Sequence, residues 1–107
     1  MKNDYNYELR YLPLFYDDVL AALDYIGRRL KNPKAADELL DKTERAILER
    51  QSNAESFEVY CSARKRDIPY YSIYVDNYVI YYVVIEHKIM EVRRFLYRGR
   101  DRDRLLR

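Results

Sequence analysis

The 107-residue sequence contains one cysteine, one histidine, two glycines, three prolines and no tryptophan. The lone Cys61 rules out an internal disulfide and fits a reducing compartment, so a cytoplasmic protein is expected. A single cysteine and a single histidine, His87, cannot assemble a zinc site, and no other metal-ligand spacing occurs, so no cofactor is expected. Gly99 stands alone near the C-terminus and suits turn geometry; it is no phosphate-cradling loop. No stretch approaches the roughly 20 apolar residues of a membrane span. The opening "MKNDYNYELR" also lacks the apolar run of a signal peptide.

What is present is a globule-forming composition: 49% hydrophobic residues, 15% aromatic, with 13 tyrosines. Such a chain can bury a core, which argues against disorder, and its length suits one domain spanning residues 1–107. The formal net charge of +2 conceals an asymmetry. Residues 1–60 carry 9 Lys/Arg against 12 Asp/Glu, and residues 61–107 carry 11 against 6. A basic second half points to a local anionic partner, either nucleic acid or an acidic protein segment.

Hydrophobic periodicity orders the chain. Tyr5, Tyr7, Leu9 and Tyr11 alternate with polar residues, the pattern of a half-buried strand. Pro13 ends that strand and suits the first position of a helix. Phe15, Val19, Ala22, Ile26 and Leu30 mark this helix's inner face, with Asp17 and Asp18 expected in its favourable first turn. Asn32 and Pro33 repeat the start signal for a second helix ending near Arg50, with Ala36, Leu39 or Leu40, Thr43 and Ile47 facing inward. The short joint between them makes an antiparallel helical hairpin. Then the period shortens: "IPYYSIYV", "YVIYYVVI" and "IMEVRRFLY" have strand composition, joined by turns at Asp76-Asn77 and Glu86-His87-Lys88. The run "YVIYYVVI" is apolar on both faces and belongs in the middle of the sheet. The expected fold is α+β, in the order β-α-α-β-β-β: a mostly antiparallel four-stranded sheet packed against an N-terminal helical hairpin. The pattern is compatible with a short tail helix around Asp101–Leu106.

This order, carried by "YELRYLPLFYDDVLAALDYI", "LKNPKAADELLDKTERAI", "VDNYVIYYVV" and "EVRRFLYRGRD", resembles the RelE/ParE superfamily of bacterial type II toxins, also called plasmid stabilisation proteins. The resemblance covers residues 5 to 106. It implies a RelE-like fold and a toxin held inactive by a cognate antitoxin in a hetero-oligomer. It leaves two activities open, because one fold hosts both. RelE-like members are ribosome-dependent endoribonucleases that cut mRNA and stop translation. ParE-like members poison DNA gyrase without being nucleases. Whether the chain is an enzyme turns on this choice. A third reading is an inactive relative serving only as a binding module.

RNA cleavage needs a base for the 2′-hydroxyl, an acid or charge relief for the leaving oxygen, and cations for the phosphorane. The resemblance puts Arg94, on the expected last strand, and Arg100, in the exit loop, close to the family's C-terminal catalytic arginine; with Tyr97, suited to stack on a base or donate a proton, they are the catalytic candidates. Arg64, Lys65, Arg66 and Arg98 are candidates for holding RNA phosphates. Plain alternatives stand beside several of them: a solvated charge run for Arg64–Arg66, a structural arginine hydrogen-bonded to backbone or a carboxylate for Arg94, and pairing with Asp101 or tail capping for Arg100; the other tyrosines read as sheet packing, with Tyr97 set apart at a strand end. Arg94 is flanked on its expected strand face by Met90, Val92 and Leu96. His87 reads as a turn residue. Where RelE-like strands usually read Tyr-Arg, this one reads Tyr78-Val79, which weighs toward gyrase. The nuclease reading nonetheless ranks first, with gyrase close behind, and its partners would be the ribosome and mRNA.

Overall fold

The structure, a computed structural model, describes residues 6–60, 68–100 and 102–106. Strand β1 (Glu8–Tyr11) leads into helix α1 (Pro13–Asp24), a π-helical turn (Tyr25–Arg29) and helix α2 (Pro33–Arg50). Strands β2 (Tyr71–Val75), β3 (Tyr78–Ile85) and β4 (Ile89–Tyr97) follow, and a short α3 (Arg102–Leu105) ends the described chain. The sheet order is β1-β4-β3-β2; β1 runs parallel to β4 and the other pairs are antiparallel. The α+β fold and the element order agree with the pattern of the sequence.

The helix signals act largely as the chemistry dictates. Pro13 and Pro33 open their helices, and Asn32 Oδ1 accepts from the Ala35 N–H at 3.1 Å, capping α2. Two details differ. The first turn of α1 holds no acid, because the helix begins at Pro13 and places Asp17 and Asp18 beyond it. Regular α-helix also stops at Asp24 rather than near Leu30. The chain then widens: Leu30 N–H donates to Tyr25 O at 3.0 Å and Asn32 N–H to Ile26 O at 3.1 Å. Lys31, with φ of 56°, makes the left-handed reversal into α2. Gly27 sits where a Cβ would lie 3.7 Å from the Ala36 Cβ, so the two helices approach closely here.

Strand β3 is buried on both faces, as its composition requires. One face of the sheet meets the helices through Phe15, Leu39, Ile47, Ile80, Tyr82, Met90, Val92 and Phe95. The opposite face carries a second apolar cluster of Tyr70, Val79, Tyr81, Val83, Leu96 and Leu106. Leu106 is fully buried, so the C-terminal segment acts as a cover for this face.

The tyrosines inside this frame carry a pH consequence. Burial is the main cause pushing the Tyr71, Tyr78 and Tyr82 phenols above their ordinary pKa of 10.0. The folded state therefore favours the neutral phenol. That stabilisation is complete below the unfolded value and is lost as pH rises through the raised folded values. Urea midpoints are expected to hold up to about pH 10 and to fall above it. A midpoint that stays level while the phenols titrate would contradict this.

Candidate functional site

The basic surface starts from an irregularity in β4. Tyr81 pairs with Arg94 and Tyr82 with Val92, so Arg93 is an extra residue in a β-bulge. One inserted residue changes which way the following side chains face. Met90 and Val92 thus pack toward the helices, whereas Leu96 packs on the opposite face. The simple alternation expected for Arg94, with Met90, Val92 and Leu96 on one face, does not hold. The bulge instead brings two successive arginines toward the second face.

Both arginines are engaged. Arg94 Nε donates to Asp18 Oδ2 at 2.8 Å and Nη2 donates to Oδ1 at 3.0 Å, a bidentate pair across to α1. Its Nη1 donates to the Leu105 carbonyl at 3.0 Å, tying down the tail. Asp18 Oδ2 also accepts from the Phe95 N–H at 2.9 Å. The Asp18 hydrogen bond is the main cause raising the Arg94 pKa, which holds the guanidinium charged. Arg93 Nε donates to Glu91 Oε1 at 2.8 Å, and its guanidinium carbon lies 5.8 Å from the centre of the Tyr70 ring. The two arginines, Tyr70, Arg104, Leu105, Leu12 and Leu14 line a cavity of about 350 Å³. The structural alternative for Arg94, a buried ion pair, is the arrangement seen.

The other candidates lie elsewhere. Tyr97 is half exposed and sits edge-on to Tyr78, with ring centres 5.8 Å apart. It lines a separate cavity of about 730 Å³ between the helical hairpin and the β2–β3 turn. Arg98 donates its N–H to the Asn77 carbonyl at 2.9 Å, and its guanidinium lies 5.4 Å from the Tyr74 ring centre. The Arg100 N–H closes a turn on the Tyr97 carbonyl at 3.0 Å, and the Arg100 side chain is exposed. Arg94, Tyr97 and Arg100 are thus not drawn into one pocket. Arg64, Lys65 and Arg66 lie outside the described residues.

Sequence reasoning missed several participants. Asp18 reads as a helix-dipole acid, and only the fold shows it reaching β4. Glu91 is a buried acid inside an apolar strand, and its isolation among Met90 and Val92 was the available signal. His87 is a turn residue, at φ of 59°, but its Nδ1 also lies 2.7 Å from Glu55 Oε2, while Glu55 Oε1 accepts from the Tyr7 hydroxyl at 2.8 Å. Nothing in the sequence separation of these residues predicts that chain. Among the described residues no cluster of acid, cysteine or histidine side chains could hold a metal ion. No helix among them is long and apolar enough to cross a membrane.

With this geometry in hand, comparison with known proteins gives a consistent answer. The profile of the ParE toxin of the type II toxin–antitoxin system, parDE, matches residues 9–102. A solved structure described as the chromosomal ParDE toxin–antitoxin system from P. aeruginosa superposes with a TM-score of 0.67 at 14% identity, covering 88% of this chain and 98% of that one. No curated protein matches. The chain belongs to the ParE toxin family of type II toxin–antitoxin systems.

Proposed function

We propose that this toxin disables its target by binding it, with DNA gyrase as the target, and that it does not cut RNA. The observation that carries the reading is the dispersal of the catalytic candidates. Transfer of a phosphoryl group needs a base, an acid and a cation around one phosphate. Arg94 is committed to Asp18 and the Leu105 carbonyl, and Tyr97 lines a different cavity. The ParE family description supports the same choice, since it is the ParE-like branch of the superfamily that poisons gyrase. In the cell, on this reading, the toxin sits in a reducing cytoplasm and is silenced by a cognate antitoxin.

The test is inducible expression of the wild-type chain in a bacterial host, with pulse labelling of protein and DNA. Stalled replication with a DNA-damage response, while translation continues, is the expected result. A rapid stop in protein synthesis accompanied by cleaved mRNA would overturn the proposal and restore the nuclease reading, with Arg100→Ala as the next variant.

A further inference from the structure

The two helices of the hairpin meet solvent in different ways. Helix α2 turns Asp37, Asp41, Glu44, Arg45 and Glu49 outward, and Leu48 is its one large exposed apolar side chain. Helix α1 and the π-helical turn after it expose Leu14, Tyr16, Leu20 and Tyr25, at 53%, 53%, 65% and 47%. Lone apolar side chains on a surface are ordinary, but these four lie along one stretch and form a patch. A charged stripe runs through it. Asp17, Leu20, Ala21, Asp24, Tyr25 and Arg28 recur at three- and four-residue steps, and all are exposed. The widened turn keeps Arg28 on this stripe, since its Nη1 lies 3.3 Å from Asp24 Oδ1. Asp18 is turned away to Arg94, whereas Asp17 has no ion-pair partner among the described residues.

From the order of charge along this stripe we infer that the outer face of α1 docks on the same face of a second copy of the chain, antiparallel and about a two-fold axis. An axis passing between Ala22 and Leu23 sets Asp17 and Arg28 equally far out on opposite sides, and does the same for Leu20 and Tyr25. Each Asp17 then meets Arg28 of the other copy, twice by symmetry, and each Leu20 packs on Tyr25 of the other copy. Ala21, the small residue near the axis, lets the helix backbones approach. Arg28 has donors enough for its own Asp24 and the incoming Asp17, so the Asp24 carboxylate near the axis keeps its counter-charge. A different protein is the competing occupant. It has no need of a face whose charges mirror one another, and a basic segment suited to Asp17 would oppose Arg28. One helix pair makes a small interface, below the roughly 1,200 Å² of standard specific complexes, so the dimer is weak and concentration-dependent. The inference concerns self-association alone and does not rest on the identity of the toxin's target.

The experiment is sedimentation of the purified full chain over a range of concentrations, with thermal midpoints as the control for folding. The wild type is expected to move from monomer toward dimer as concentration rises. Leu20→Glu, at a position 65% exposed, should weaken self-association ~10-fold or more and leave the midpoint in place. Asp17→Arg and Arg28→Glu should each be monomeric, because each sets like charges opposite one another at both ends of the contact. Mixing these two variants should restore a dimer, since every end then carries opposite charges. A wild type that stays monomeric at its highest soluble concentration would overturn the inference. So would a dimer indifferent to Leu20→Glu, which would place the contact on another face, or two charge variants that stay apart when mixed. Any of these results leaves the gyrase proposal standing.

Discussion

Asp18→Ala is expected to destabilise the fold by about 3–5 kcal/mol, the range for removing one partner of a buried ion pair. The side chains of Asp18 and Arg94 are only 14% and 15% exposed, so solvent screens the pair little. Alanine leaves the Arg94 guanidinium without its carboxylate and the Phe95 N–H without its acceptor. It also loosens the hold of Arg94 on the Leu105 carbonyl, so the tail that buries Leu106 should be the first segment to open. Urea denaturation measures the loss, and amide exchange at Leu105 and Leu106 locates it. The double variant Asp18→Leu with Arg94→Met separates charge from packing: it removes both charges and should recover most of the stability. If the double variant is as unstable as Asp18→Ala, the stranded Phe95 N–H and Leu105 carbonyl, and not the stranded charge, are responsible.

That pair also explains how far the sequence could be read. Period-two alternation in β1, the Asn32-Pro33 start of α2 and the doubly apolar β3 are local signals, and each produced the element it implied. The bulge at Arg93 is not local. It reflects a choice between leaving Arg94 in the apolar layer with Met90 and Val92, or inserting a residue to send it to Asp18. Only the position of α1 against β4 decides that, and the two residues are separated by 76 positions. Spacing alone makes Asp18 a first-turn acid, because aspartates there are favourable. Its true task depends on a strand that the sequence places far downstream. The shortened α1 is similar: Leu30 keeps the helical spacing, but the close approach of Gly27 to Ala36 and the reversal at Lys31 belong to the packing of two helices.

The arginines from Arg93 to Arg100 fall into three groups. Arg93 and Arg94 are interior cations that fasten β4 to Glu91, Tyr70, Asp18 and the tail. Arg98 lies over an exposed tyrosine on the sheet. Arg100 remains an exposed cation in the turn beyond β4. Charge counting could not separate these, because composition records how many arginines there are and not how many acids the fold brings to them. This division is why the ranking of functions shifts: a phosphate site built from Arg94 and Arg100 would first have to dismantle the Asp18 clamp.

The second large effect is expected on the other side of the sheet, at Tyr82→Phe. Tyr82 is fully buried and its ring stacks on that of Tyr71, with centres 5.2 Å apart and planes 12° from parallel. Its hydroxyl donates to the Ala54 carbonyl at 2.7 Å and accepts from Arg50 Nη1 at 2.9 Å. Phenylalanine keeps the ring and its stacking, so any loss belongs to the hydroxyl. Ala54 is fully buried, and its carbonyl would have no side-chain donor among the described residues; the Arg50 guanidinium would keep a longer contact to the Ser72 carbonyl at 3.4 Å, its place over the Phe57 ring at 3.6 Å and a more distant one 5.7 Å from the residue 82 ring centre. A stranded buried acceptor and a weakened cation together should cost about 2–3 kcal/mol by urea denaturation. The damage should concentrate in the connector around Ala54, which the hydroxyl pins to the sheet. Faster amide exchange at residues 53–57, with β3 and β4 protected as before, is the expected pattern. Equal exchange in connector and sheet would mean that the hydroxyl supports the whole core and not this one segment.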